Sequence, residues 1–230
     1  MKGVVFDLVG TLAHFRKPDT TATQMTYPFI TPTAVKGMVG AILGKEDFVT
    51  HDIVGIRLMN PVQIVSQQMS MLGKDTGSSF NRPTTIELLI NPHYRIYYAG
   101  EENVDELSTY LQKEYSVYPT FLGVAYAVTK PKLISVWNQV ALAVNEAYGY
   151  IETKAVVPSA LVGELKVTRG QHYCRAGGFM YCYKGARTFE KSIDFIYEWA
   201  GNMIAFKPAK KKLSLNLQIA KFGEDVVCLY

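Results

Sequence analysis

Residues 27–44 read YPFITPTAVKGMVGAILG, and whether the last dozen form a helix decides how the rest of the chain can be laid out. One lysine is the only charge, and glycines stand at 37, 40 and 44. At about 100° per residue, Val35, Met38, Val39, Ile42 and Leu43 form one broad apolar face. Thr33, Gly37, Gly40, Ala41 and Gly44 fall opposite. The pattern predicts a helix over 33–44 whose apolar face covers a sheet. Pro32 gives a defined entry and Thr33 is the expected N-cap. Glycine in a helix interior costs about 0.5–1 kcal/mol against alanine, so the small stripe predicts a close approach from outside. A C-terminal β subdomain, a partner protein and a phosphodiester backbone all fit. The free N–H groups at the helix start favour an anion. Lys36, in the first turn, sits badly for the helix dipole but well for a bound phosphate.

Outward from this helix, residues 3–16 read as a strand, with Val4, Phe6, Leu8 and Leu12 on one face. Residues 54–69 are rich in Val, Ile and Met. Residues 69–83, MSMLGKDTGSSFNRP, read as a long polar loop. Over 84–98 the residues Ile86, Leu88, Ile90, Tyr94, Ile96 and Tyr98 share a face, with Pro92 marking an edge or bulge. A second helix is expected at 104–114, with Asn103 and Glu106 as a capping box. TFLGVAYAV (120–128) then reads as a buried strand. Residues 132–150 fit helix and strand equally. The order is that of an α+β fold with a ferredoxin-like βαββαβ unit, the architecture shared by RNA-recognition domains. Past 150, short strands are expected at 161–167, 178–183, 188–199, 202–206, 213–219 and 225–230. They suggest a ferredoxin-like domain over 1–150 and a small β subdomain over 151–230.

Bulk properties agree with a globular chain. Hydrophobic residues make up 48% of the 230 and charged residues 19%, below the usual quarter. A net charge of +4 permits nucleic-acid contact without demanding it. Three cysteines with no CxxC pair suggest neither a disulfide framework nor a zinc ribbon, and fit a cytoplasmic home. Asp7 and Gly10 break the N-terminal apolar run, so no signal peptide is expected. No apolar run reaches about 18 residues, so no membrane span is expected.

Familiar catalytic motifs are missing. Three residues separate Gly40 and Gly44 where a P-loop has four, and Lys45 is followed by Glu46, so a P-loop fails. Four scattered histidines make a poor metal site, and no cofactor is expected. Acid–base RNA cleavage would need His14, Tyr27, Lys36 and His93 to converge, which their spacing does not show. The fullest constellation is polar and basic. His14, Arg16 and Lys17 end the first strand. Tyr27, Thr33, Lys36 and Gly37 surround the helix start. Lys74 and Arg82 lie in the long loop. Arg169, His172 and Arg175 precede Gly177-Gly178, and Arg187 follows Gly185. Arginine beside glycine-rich backbone suits single-stranded RNA phosphates, because glycine admits the backbone and arginine grips two oxygens.

AHFRKP (13–18) followed by YPFITPTAVKGMVGAILG resembles the N-terminal signature of the fifth CRISPR-associated (Cas) protein family, in the RAMP superfamily. YPTFLGVAYAV (118–128) and ARTFEKSIDFIYEWAGNMI (186–204) resemble its later segments, and the likeness is nearest the type I-B form. The resemblance implies a subunit of Cascade, the surveillance complex that carries a CRISPR RNA. Such a subunit caps the guide's 5′ handle, contacts the backbone and large subunits, and meets target DNA only through the complex. Carried over, Arg16 and the Thr33–Gly37 helix start would hold handle phosphates, and the 69–83 loop would be a protruding thumb. The family's type I-C branch cuts repeat RNA with a Tyr-Lys-His set whose Lys and His are adjacent. No adjacent Lys-His pair occurs here, which favours a non-catalytic binding subunit. Two other readings stay open: a metal-independent endoribonuclease, and a protein-interaction module without RNA contact.

Overall fold

The computed structural model describes residues 1–230 apart from 19, 21–22, 76, 143–148 and 210–216. Most of the expected 213–219 strand lies outside the described residues. The first half comprises β1 (Lys2–Val9), α1 (Pro32–Leu43), β2 (Ile53–Leu58), β3 (Ile64–Asp75), β4 (Ser78–Ile90), β5 (His93–Gly100), α2 (Val104–Gln112) and β6 (Lys132–Trp137). Strands β2, β5, β1 and β6 form one sheet in that order, every neighbouring pair antiparallel. The fold is α+β.

Alternation along the strands sorts the two faces of this sheet. Val4, Phe6 and Leu8 of β1 lie opposite Tyr98, Ile96 and Tyr94 of β5. All six are buried in one core with Val35, Met38, Val39 and Ile42 of α1 and Val104, Leu107 and Leu111 of α2. Val5, Tyr97 and Ala99 point to the other face, where Phe222, Val227 and Leu229 cover them. The sheet surface on which RNA-recognition domains stack bases is therefore largely occupied by the chain itself.

Three segments depart from the sequence reading. The 69–83 stretch is no loop. It is the distal half of a long hairpin in which β3 and β4 pair from Ile64↔Leu89 to Asp75↔Ser78, turning at Gly77 with φ 93°. Main-chain pairing holds this exposed ribbon together, so apolar alternation does not announce it. The expected strand over 84–98 breaks at Asn91, whose φ is 47°, and Pro92, so that β4 and β5 belong to different sheets. TFLGVAYAV is a tight loop. Leu122 N donates to Ala127 O at 2.8 Å, and Gly123 turns the chain at φ 85°. A Cβ on Gly123 would stand 2.0 Å from His14 O. The fourth strand of the sheet is β6, within the stretch whose pattern was ambiguous.

The second half contains β7 (Ile151–Thr153), β8 (Val157–Pro158), β9 (Val162–Lys166), β10 (Tyr173–Tyr183), β11 (Phe189–Glu198), β12 (Ile204–Pro208), β13 (Gln218–Phe222) and β14 (Asp225–Leu229). Strand β12 lies between β7 and β9, and β11 between β8 and β10. The β10–β11 hairpin shares the main core. Phe179 stacks on Tyr27 at 4.2 Å and on Phe29 at 5.0 Å between ring centroids, and Phe195 and Tyr197 meet Phe29 edge-on.

Candidate nucleic-acid interface

Thr31, not Thr33, caps α1. Its hydroxyl accepts from Ala34 N at 3.1 Å and its carbonyl from Val35 N at 3.0 Å. Pro32, which has no N–H to satisfy, thus occupies the first helical position, and the cap falls one residue before it. The hydroxyl of Thr33 lies 3.1 Å from that of Thr31.

The glycine stripe has three different explanations. At Gly40 a Cβ would lie 2.7 Å from the Cβ of Phe48, on the loop that follows the helix. Gly44 is the left-handed C-cap, with φ 70°, and Val117 crowds it at 2.9 Å. Gly37 meets nothing within 4 Å. The close approach inferred for the stripe is thus made by this chain at two positions, and the third opens onto a cavity.

That cavity has a volume of about 490 Å³ and is lined by Thr33, Lys36 and Gly37 of α1, residues of the 45–53 loop, and the turn joining β10 to β11. Its cations are Lys36, Lys45, Lys184 and Arg187, and Phe48, Tyr181, Tyr183 and Phe189 supply ring surface. Lys45 pairs with Glu106 at 2.6 Å and Lys184 with Glu190 at 3.0 Å. Lys36 Nζ donates to Thr50 O at 3.4 Å, and burial pulls its pKa below the ordinary lysine value. Among the described residues no carboxylate pairs with Arg187. Two cations thus face the cavity without a carboxylate of their own, which is the arrangement an incoming phosphate requires.

The 45–53 loop is pinned from below. Asp52, buried, accepts from Tyr98 Oη at 2.9 Å, from the backbone N–H of Glu102 and Asn103 at 3.1 and 3.0 Å, and from Asn103 Nδ2 at 3.0 Å. The expected Asn103–Glu106 capping box does not form. The Asn103 amide turns to Asp52 and Thr50, and Glu106 turns to Lys45. The N–H groups of Glu102 and Asn103, just ahead of α2, are thus satisfied from the loop, across about fifty residues of sequence, by a carboxylate beside the positive helix end.

The remaining site residues lie elsewhere. His14 is buried, with Nδ1 against Glu87 O at 2.7 Å, and burial lowers its pKa. Tyr27 is also buried, its hydroxyl donating to Gly178 O at 2.5 Å. Neither ring presents itself to a ligand, because each completes the core beneath a strand end. Arg16 is exposed, with Nη2 3.2 Å from Thr20 O, and Lys17 is half-buried, its N–H bonded to Met25 O. Arg82 is exposed on the ribbon, and the side chain of Lys74 lies outside what the structure describes. Arg169 and His172 are exposed at the β10 end far along the strand from the turn, with His172 edge-on to Trp199 at 6.4 Å. Arg175 is exposed and held by Asp194 at 2.8 Å. Of the sequence-derived set, the cavity gathers Thr33, Lys36, Gly37 and Arg187. It adds Lys45, Asp47, Phe48, Tyr181 and Tyr183, which the sequence reading did not select. The alternation of Tyr181 and Tyr183 before Lys184-Gly185 was the available signal, since it puts both rings on one face of a strand.

The acid–base set does not line this cavity together. Lys36 is its one member there, and His93 lies 3.3 Å from Asp7 on the sheet. Among the described residues no group of three His, Cys, Asp or Glu could hold a metal ion, and no helix is long and apolar enough to cross a membrane.

Residues 3–111 match the family model described as CRISPR-associated protein (Cas_Cas5). No curated protein matches the chain at significance. Among solved structures, a "CRISPR RNA-guided surveillance complex" chain is similar at 14% identity and TM-score 0.58, covering 90% of this chain and 91% of that one. A "CRISPR protein from Archaeoglobus fulgidus" is similar at 11% identity and TM-score 0.57, covering 99% and 98%. A chain described as "Cas protein" follows at 16% identity and TM-score 0.52, covering 86% and 95%. At these identities the likeness is one of fold.

Proposed function

We propose that this chain, which matches the CRISPR-associated Cas5 family model over residues 3–111, is a guide-RNA-binding subunit of a CRISPR effector complex. The single observation that carries this reading is the cavity at the start of α1, where Lys36 and Arg187 stand without carboxylate partners beside a glycine that leaves room for a backbone. In this reading the bound RNA is the 5′ handle of the guide within a type I system, of the I-B form by sequence resemblance. The neighbours are the backbone and large subunits, and target DNA is met through the complex.

The sheet order β2-β5-β1-β6, with both helices on one face, supports a ferredoxin-like unit. The exposed β3–β4 ribbon takes the role of the protruding thumb. The three cysteines are unpaired, which accords with a cytoplasmic protein. The non-catalytic reading draws support from His14 and Tyr27, whose polar atoms are turned into the fold.

The test is RNA binding at several salt concentrations with a synthetic host-repeat RNA. Lys36→Ala and Arg187→Ala should each lower affinity about tenfold and reduce the salt slope by about one. Wild-type affinity and slope in both variants would sink the proposal. Incubation of the same RNA with the pure protein in EDTA should leave it intact, and a discrete cut would restore the nuclease reading.

A further inference from the structure

Arg187 stands in backbone that a side chain rarely adopts. Ala186 and Arg187 have φ of 46° and 59°, and Thr188 N donates to Gly185 O at 2.9 Å. They are therefore the two central residues of a tight turn of the kind that ordinarily carries Asn-Gly. Such backbone persists in non-glycine residues only where the surroundings over-determine it.

Beyond the hairpin's own pairing, where Lys184 N donates to Thr188 O at 3.0 Å, the contacts on this turn converge on one carboxylate. Asp47, in the loop after α1, accepts the Ala186 N–H with both oxygens, at 3.1 and 3.0 Å. It also accepts the Tyr183 hydroxyl. The Tyr183 oxygen in turn accepts the Arg187 N–H at 3.2 Å. One side chain thus holds both left-handed residues, the first directly and the second through a tyrosine. The fit is close, since a Cβ on Gly185 would lie 3.1 Å from Asp47 Oδ2. Asp47 is itself in the left-handed region, at φ 45°, so both partners in the contact hold strained backbone.

We infer that Asp47 is a positioning residue, a latch that fixes the β10–β11 turn on the 45–53 loop so that Arg187 lines the cavity in the geometry that grips a phosphate. The inference rests on the reading of the cavity as an RNA site. It adds a residue that touches no RNA, and whose negative charge would otherwise argue against its presence beside a phosphate. Its acceptor oxygens, rather than its charge, do the positioning.

The experiment combines amide hydrogen exchange with a double-mutant cycle on affinity for the synthetic repeat RNA. In Asp47→Ala, exchange at the Ala186 and Arg187 amides should accelerate, with the core strands unchanged. Asp47→Ala and Arg187→Ala should each weaken RNA binding about tenfold, and the double variant should be no weaker than either, because both remove the same grip. Asp47→Asn keeps an acceptor oxygen and should bind within about twofold of wild type. The latch is overturned by unchanged exchange at Ala186 in Asp47→Ala. It is equally overturned by losses that multiply to about a hundredfold in the double variant, or by an Asp47→Asn protein as weak as Asp47→Ala. An Arg187→Ala protein with wild-type affinity would overturn the RNA reading of the cavity and the positioning role with it, while the exchange result separately judges the latch.

Discussion

Asp52 occupies the space that a side chain on Gly100 would need: a Cβ at Gly100 would stand 1.8 Å from Asp52 Oδ1. The last residue of β5 must be glycine so that a buried carboxylate can reach the start of α2. Gly100→Ala should therefore displace Asp52 and leave the donors it satisfies without their acceptor. The cost should be about 3 kcal/mol, since overpacking adds to unpaired buried N–H groups. Asp52→Ala should cost a similar amount without any clash. Urea unfolding of both variants checks this, and a neutral Gly100→Ala would show that Asp52 has another place to go.

The glycines of α1 should respond in opposite directions. Gly37 faces open space, so Gly37→Ala should stabilise the protein by about 0.5–1 kcal/mol through helix propensity. Gly40 faces the root of the Phe48 side chain, and a Cβ there would also stand 3.1 Å from the Lys45 carbonyl oxygen. Neither atom is the far end of a flexible chain, so Gly40→Ala should destabilise by about 2 kcal/mol despite the same propensity gain. Thermal unfolding of the two variants side by side separates packing from propensity.

Glu198 supplies the pH dependence. Burial works to raise its pKa, but the N–H groups of His172, Ala200 and Asn202, at 3.0, 2.9 and 2.8 Å, outweigh burial and hold the carboxyl below the ordinary glutamate value. A depressed folded pKa stabilises the protein fully above the unfolded value of about 4.3, and the contribution is lost as pH falls through the folded value. Glu198→Gln should cost about 2 kcal/mol at pH 7, because one amide nitrogen then faces N–H donors. The gap between wild type and variant should close on acidification below about pH 4. Denaturant titrations at neutral and acid pH measure the gap, and a gap that widens toward acid would reverse the sign argued here.

Tyr27 lies in the sequence block that carries the CRISPR-associated family likeness, yet its ring stacks on Phe179 and its hydroxyl is bonded to Gly178 O. Tyr27→Phe should keep the stack and lose the hydrogen bond, costing about 1 kcal/mol. Affinity for the repeat RNA should be unchanged. A weakened complex with unchanged stability would return Tyr27 to the interface.

The helices and the central strands were legible because their apolar residues repeat with the period of the element. Val35, Met38, Val39 and Ile42 announce α1, and Val4, Phe6 and Leu8 announce β1, since burying one face is what these elements must do. The β3–β4 ribbon was not legible. Its distal strands bury neither face, so Gly, Ser and Asn there carry no periodic signal, and only pairing across the hairpin makes them strands. TFLGVAYAV misled in the opposite way: of its apolar residues only Leu122 and Ala127 are buried, Phe121, Tyr126 and Val128 are exposed, and Gly123 bends the segment around the His14 carbonyl.

The sequence by itself determined an α+β chain, the place and faces of α1, and a family likeness strong enough to point to RNA. It also singled out Thr33, Lys36 and Gly37, because small residues and a cation at a helix start are local features, and Arg187, because a cation just after Gly185 is a local feature too. Which of the remaining candidates reach a common surface was decided by tertiary structure alone. His14 and Tyr27 turn inward because strand ends near the core must be filled. Arg187 reaches the cavity because Asp47, about 140 residues earlier in the chain, holds its turn in a backbone conformation that no local preference would select.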